Sequence, residues 1–257
     1  MEILKVHELN FSYDGKTQAV SDVSFNAQFG EYISIIGSNG SGKSTLFSLL
    51  CGHRKPHGGK IFLYDKPLDN YKNTDIAKII SVIYQKNEIN LQYNCFEFVL
   101  MGLYPHRMRF EKITNAALSR AEEIMDITDT LKFAEKQINQ ISGGETQRVL
   151  LAKALMQQPK ILMMDEAMSD IDAAVKIKLI KLLRKKAEHE GLCIIAIHHD
   201  LSLVYRYSDR VLTLKNGKQH NFGSTGQVFN DEMPQNIFGI KGEVIKNKGF
   251  LIYDNIY

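Results

Sequence analysis

The residues best suited to chemistry stand near the N-terminus, as Gly37-Ser38-Asn39-Gly40-Ser41-Gly42-Lys43-Ser44-Thr45. An apolar run, Tyr32 to Ile36, precedes them, and Leu46-Phe47-Ser48-Leu49-Leu50 follows as a helix start. Strand, glycine-rich loop and helix form the setting in which this spacing binds phosphate. The glycines let backbone N–H groups curl around an anion, and the helix beginning near Gly42 aims its positive end at the same charge. Lys43 is placed to reach the β- and γ-phosphates of a nucleotide, and the Ser44 hydroxyl to hold Mg²⁺.

Further chain stretches carry groups that such a site would use. Ile161-Leu162-Met163-Met164 ends in Asp165-Glu166, an apolar strand tipped by two acids. Asp165 suits a holder of Mg²⁺, and Glu166 suits a base that orients an attacking water. Gln85 closes the apolar run Ile79 to Tyr84; its amide either touches metal or water there or lies in a surface loop. Tyr13, ending Phe11-Ser12-Tyr13, either stacks on a purine base or packs as a strand-end tyrosine. His198-His199 follows another buried run, where a histidine either bonds a γ-phosphate or simply packs. In Ile141-Ser142-Gly143-Gly144-Glu145, Ser142 and Glu145 form a capping box, and the helix start they cap is also an anion site.

The elements that position these groups follow from periodicity. Ile3 to Phe11 and Val20 to Phe29 alternate as strands and predict an antiparallel element feeding the phosphate-loop strand. Lys60 to Tyr64, Ile79 to Tyr84, Ile161 to Met164 and Leu192 to Ile197 read as strands, the continuous apolar ones as central parallel strands. Between about Lys86 and Pro159 leucine and isoleucine fall at helical spacings, most clearly over Asn115 to Met125. Ala173 to Glu190 predicts a long helix with a solvated lysine face, stopped by Gly191. Val211 to Leu214 and Asn216-Gly217 predict a hairpin. The expected fold is α/β: a P-loop nucleotide-binding core with a mixed, mainly parallel sheet, an N-terminal antiparallel β part and an inserted helical subdomain. Residues 1–85 and 160–220 form the core, 86–159 the helical subdomain and 221–257 a tail of mixed pattern.

Composition sets limits. A formal charge of +3 gives no argument for nucleic acid as a partner, and the basic cluster Arg107, Arg109 and Lys112 reads as a solvated face. Cys51, Cys95 and Cys193 form no pair or framework and suit a reduced, cytoplasmic protein. Apolar runs are far short of a membrane span, and no signal pattern opens the chain. Membrane association is therefore expected to go through a partner.

Together, and in order, these motifs resemble those of the ATP-binding cassette (ABC) ATPases over nearly the whole chain. The resemblance implies that Tyr13 stacks on adenine and that Gly37 to Thr45 is the P-loop. Gln85 takes the Q-loop position, Ile141 to Glu145 the signature, Asp165-Glu166 the Walker B pair and Ser169 to Asp172 the D-loop. His199, directly before Asp200-Leu201, becomes the switch histidine in preference to His198. The implied cofactors are ATP and Mg²⁺, the metal held by Ser44, Gln85 and Asp165. The implied assembly is a head-to-tail dimer in which Ser142, Gly144, Glu145 and Asp172 act on the partner's nucleotide.

Departures from the family pattern are Ile141 for Leu, Glu145 for Gln, Ala167-Met168 for Pro-Thr, and Asp170-Ile171 inside the D-loop. Glu145 adds a negative charge near ATP. Val99-Leu100-Met101-Gly102-Leu103-Tyr104-Pro105-His106 is similar to the Gly-Arg-Tyr-Pro-His segment of importer ATPases for iron–siderophore complexes, haem and cobalamin, with Leu103 in place of the usual Arg. The resemblance thus implies a peripheral subunit on the cytoplasmic face of the membrane, bound to permease subunits and served by a substrate-binding protein. The alternatives are a soluble cassette ATPase in regulation, assembly or nucleic-acid work, and a GTPase or small-molecule kinase. Asn247-Lys248-Gly249-Phe250 lacks the aspartate that guanine reading requires.

Overall fold

A computed structural model describes residues 1–85, 92–108, 111–230, 232–245 and 249–253. Arg109, Asn247, Lys248 and the first residues of 86–159 lie outside them. In chain order the elements are β1 (Glu2–Ser12), β2 (Gln18–Gln28), β3 (Tyr32–Gly37), α1 (Lys43–Leu50), β4 (Gly58–Leu63), β5 (Lys66–Pro67), α2 (Asn73–Ile79), β6 (Ile80–Ile83), α3 (Cys95–Leu100), α4 (Asn115–Ile127), α5 (Gly143–Met156), β7 (Ile161–Asp165), α6 (Ala173–Glu190), β8 (Cys193–Ile197), α7 (Leu201–Tyr207), β9 (Arg210–Lys215), β10 (Lys218–Ser224), α8 (Thr225–Val228), α9 (Met233–Phe238), β11 (Lys241–Ile245) and β12 (Gly249–Tyr253). They fall into two compact units, Met1–Tyr71 with Ala187–Tyr257, and Lys72–Lys186.

In the first unit the strands run in the order β5-β4-β1-β2-β10-β9-β3-β8. The β1–β2 and β1–β4 pairs are antiparallel, as the alternation predicts. At the other side β3 runs parallel to both β8 and β9, with Ile35 opposite Ile197 and Leu212. All residues of β3 are buried, which suits its mostly apolar sequence; the exception, Ser34, shares a hydrogen bond with the Ser208 hydroxyl at 2.6 Å. The predicted hairpin is β9–β10, and β10 joins the N-terminal strands through a parallel bridge, Lys218 to Ser21. Sheet pairing is therefore mixed.

Beneath this sheet Ile36, Leu201, Val204, Val211, Val228, Phe229, Met233 and Ile237 form one buried cluster. The stretch after β10, which shows little periodicity, is ordered by that packing. Burying a side chain such as Phe229 or Ile237 contributes about 1.5–3 kcal/mol.

The second unit contains the parallel pair β6–β7, with Ile80 opposite Ile161 and Ile83 opposite Met164. Its helices include α4, which extends the expected helix to Ile127, and α5, which stops at Met156, short of Pro159. Helix α6 has the predicted limits. Among the described residues no helix is long and apolar enough to cross a membrane.

Candidate functional site

In the first unit β3 delivers the chain to the phosphate loop at its carboxyl end, where parallel sheets bind ligands. Gly42 has φ 97°, and a Cβ there would be driven into the Ala19 carbonyl, with Gly217 Cα at 3.4 Å. Only glycine fits that turn. The Gly217 N–H donates to the Ser41 carbonyl at 3.0 Å, so the β9–β10 turn braces the loop. Lys43 is buried, and its Nζ donates to the Gly37 and Ser38 carbonyls at 2.8 and 3.0 Å. Its ammonium is thereby kept over the loop. The Ser41 hydroxyl is buried without a partner among the described residues, and Ser38, Asn39, Gly40, Ser44 and Thr45 complete the turn into α1.

Tyr13 is 61% exposed, yet its position is fixed. Its hydroxyl shares a hydrogen bond with Thr45 Oγ1 at 3.1 Å, and Phe11 meets its ring edge-on at 5.1 Å. Asp14 then closes the turn by accepting from the Thr17 and Lys16 N–H groups and the Ser12 hydroxyl. Those bonds hold its carboxyl down at about 2. Sequence reasoning missed Arg54, whose guanidinium lies 4.9 Å from the Tyr13 ring centroid. The 51–60 connection carries only turn signals, and nothing in its spacing points back to Tyr13.

His199 ends the β8 side of the same unit and is exposed. Asp200 caps α7 by accepting from the Ser202 and Leu203 N–H groups at 3.0 and 3.1 Å, which fixes the turn that presents His199. Its neighbour His198 points the other way, Nε2 sharing a hydrogen bond with the Tyr32 hydroxyl at 2.9 Å.

The second unit gathers Gln85, Asp165 and Glu166, and separately Ser142, Gly144, Glu145 and Asp172. Gln85 Nε2 donates to Glu166 Oε2 at 2.6 Å, joining residues that are 81 apart in sequence. Glu166 has φ 48°, a left-handed conformation that a side chain with a Cβ rarely adopts. Strain of this kind, worth roughly 1–3 kcal/mol, gathers where function demands it. Ser142 caps α5 in a complete capping box: its hydroxyl accepts from Glu145 N–H at 3.4 Å, and Glu145 Oε2 accepts from Ser142 N–H at 2.8 Å. That bond holds the Glu145 carboxyl below its usual range. A Cβ added at Gly143 would meet nothing within 4 Å, so packing does not require glycine there. Asp172 Oδ1 accepts from Val175 N–H at 3.1 Å and begins α6.

Gln85 and Asp165 in the second unit offer oxygen atoms, the ligand type that a hard divalent cation such as Mg²⁺ prefers, and in the first unit the Ser44 hydroxyl offers another. A glycine cradle with a lysine over it suits a polyphosphate. Fold and loop together define a P-loop nucleotide-binding α/β protein.

Comparison with known proteins narrows the class. Residues 20–169 match the family model described as ABC transporter. The chain is 32% identical to the hemin import ATP-binding protein HmuV of Escherichia coli O157:H7, over 95% of each chain. It is 36% identical over 83% of its length to an uncharacterized ABC transporter ATP-binding protein of Bacillus subtilis, of which it spans about half (48%). Among solved structures, the dimeric bacterial ABC transporter cassette MJ0796 superposes with a TM-score of 0.78 at 25% identity, covering 87% of this chain and 99% of that one. The chain belongs to the ABC transporter family, as an ATP-binding subunit with ATPase activity.

Proposed function

We propose that this chain hydrolyses ATP to power an importer of iron–siderophore or another metal chelate, such as haem or cobalamin. The observation that carries this reading is the kinship with a hemin import ATP-binding protein along 95% of both chains. The Gly102-Leu103-Tyr104-Pro105-His106 segment supports it.

In this reading two copies meet head to tail, each ATP lying between the P-loop of one and the α5 tip of the other. Tyr13 stacks on adenine, backbone groups from Ser38 to Thr45 wrap the phosphates, and Lys43 neutralises them. When bound, Mg²⁺ supplies charge neutralisation at the phosphate oxygens, with Ser44, Gln85 and Asp165 as its holders. Glu166 orients the attacking water, steadied by Gln85, and His199 bonds the γ-phosphate. From the partner come the Ser142 hydroxyl, the Gly144 N–H, Glu145 and Asp172. The helical region 86–159 docks permease subunits, a substrate-binding protein delivers the cargo, and the assembly sits peripherally on the cytoplasmic face of the membrane.

Glu166→Gln tests the reading. The variant is expected to bind ATP, lose most turnover and accumulate a dimer on gel filtration with ATP; full turnover would remove Glu166 from the mechanism. Mixing Ser142→Arg with Lys43→Ala chains should restore partial activity, because one interface of the mixed dimer keeps both parts. Affinity capture should return a polytopic membrane protein, whereas ribosomes or DNA would point to a soluble cassette ATPase instead.

A further inference from the structure

Gln147 lies one turn into α5, buried to 5% exposure, and its amide is turned toward the 169–170 segment. Nε2 donates to Asp170 Oδ2 at 3.0 Å, while Oε1 accepts from the Asp170 N–H at 3.2 Å. Nε2 also reaches Ser169 Oγ at 3.4 Å. Backbones approach closely at the same place: a Cβ on Gly144 would stand 2.7 Å from the Asp170 carbonyl oxygen. Glycine at 144 is therefore required by packing as well as by any anion in front of the helix.

The segment that Gln147 grips is itself anchored at both ends. The Ser169 N–H donates to the Glu166 carbonyl at 3.1 Å, closing a turn directly after the strained carboxylate. At the far end Asp172 caps α6, and Ile171 between them is buried. A continuous path thus runs from Glu166 through the 166–169 turn and Asp170 to Gln147 and the α5 tip. Asp170 supplies an ionised acceptor, which makes this bond stronger than one between neutral groups.

We propose that Gln147 and Asp170 are positioning residues that lock the Glu166 turn and the Ser142-capped tip of α5 into one rigid piece. This rests on the reading that Glu166 serves the chain's own ATP and Ser142 the partner's. Under it, the clasp makes the state of one ATP site felt at the other. Glu166 cannot settle against its water without the α5 tip also being held at the angle that meets the partner's phosphate.

Two measurements test the clasp. In steady-state hydrolysis, Asp170→Ala and Gln147→Ala should each lower kcat about tenfold to a hundredfold, the worth of one charge-assisted hydrogen bond, and should lower the Hill coefficient for ATP. Asp170→Asn keeps an acceptor oxygen without the charge and should recover part of the loss. The double Gln147→Ala/Asp170→Ala variant should be no worse than either single one. Additive losses, or Asp170→Asn as poor as Asp170→Ala, would overturn the proposal. Amide hydrogen exchange without nucleotide is the second measurement and does not depend on the dimer. Asp170→Ala should raise exchange in peptides over 143–150 and 166–175 together; unchanged protection in either overturns the clasp. Glu166→Gln alone, tested for its ATP-dependent dimer, separates the two ideas. If that dimer forms and the clasp variants behave like wild type, the clasp fails and the trans reading stands. If no dimer forms while exchange rises in both peptides, the clasp stands and the trans reading fails.

Discussion

Glu145 offers the sharpest separation of structure from function. Its carboxylate accepts the Ser142 N–H at 2.8 Å and so closes the cap, yet it also places a negative charge at a helix tip that would meet phosphate. Glu145→Ala removes both; Glu145→Gln keeps the cap and removes only the charge. The Ser142 N–H is at an exposed position and can turn to water, so losing the bond costs about 0.5–1 kcal/mol. Losing a favourable charge at the α5 N-terminus costs about 0.3–1 kcal/mol more. Urea unfolding should therefore place Glu145→Ala about 1–2 kcal/mol below wild type and Glu145→Gln about 0.3–1 kcal/mol below. For function the sign reverses: removing the charge should tighten apparent ATP affinity by about twofold to fivefold in Glu145→Gln. The folded carboxyl titrates below the usual 4.5 because it accepts from Ser142. A depressed pKa contributes stability that is present above the unfolded value and lost as pH falls through the folded one. The advantage of wild type over Glu145→Gln should thus be full at pH 7, decline once pH drops below the unfolded value and vanish as it passes below the folded one. If the two variants were equally unstable, or the wild-type advantage persisted at low pH, the capping argument would be wrong.

Other outcomes rest on single contacts. Tyr13→Phe removes the hydroxyl bonded to Thr45 and should weaken nucleotide binding about twofold to fivefold. Tyr13→Ala, which removes the stacking face, should weaken it about tenfold or more, read by a fluorescent ATP analogue; equal effects would mean the ring itself makes no contact with the base. Gly102→Ala puts a methyl group against the Lys153 carbonyl, 3.0 Å from Met156 Cβ and 3.1 Å from Gln157 N. It should cost about 1–3 kcal/mol of stability in thermal unfolding; a neutral result would show that α5 can move away.

How much of this could be read from the chain alone depended on the range of the contact. The P-loop, the acid pair after β7 and the Ser142–Glu145 cap are contiguous, so spacing reports them directly. Helix α6 was legible because its apolar stripe has one period and Gly191 ends it. Helix α7 was not, although Asp200 announces it, because seven residues are too few for a period to emerge. The stretch over α8 and α9 escaped for a related reason: Phe229, Met233 and Ile237 are placed by the core they fill. Pairings such as β2 with β10 or Gln85 with Glu166 leave no local trace. The positive φ of Glu166 leaves none either, since a glutamate there breaks the usual preference for glycine.

The two ends of α5 show what the second unit is built to hold. At the N-terminus Gln147 fastens the helix to Asp170, and at the C-terminus Gln157 fastens it to β6. Gln157 Nε2 donates to the Ala77 and Ile80 carbonyls at 2.6 and 2.8 Å, and its Oε1 accepts from the Ser81 hydroxyl at 3.0 Å. His106, ending the Tyr104-Pro105-His106 turn, donates from Nε2 to the Gln157 carbonyl at 2.8 Å. Strand β6 leads directly to Gln85, so the strand before that amide and the tip holding Ser142 are attached to the same rod. Each attachment uses a side-chain amide that both donates and accepts, which fixes orientation as well as distance. A helix pinned by such pairs at both ends resists tilting more than one held by apolar contacts, which allow sliding. Helix α5 therefore acts as a strut between β6 and the 169–172 segment.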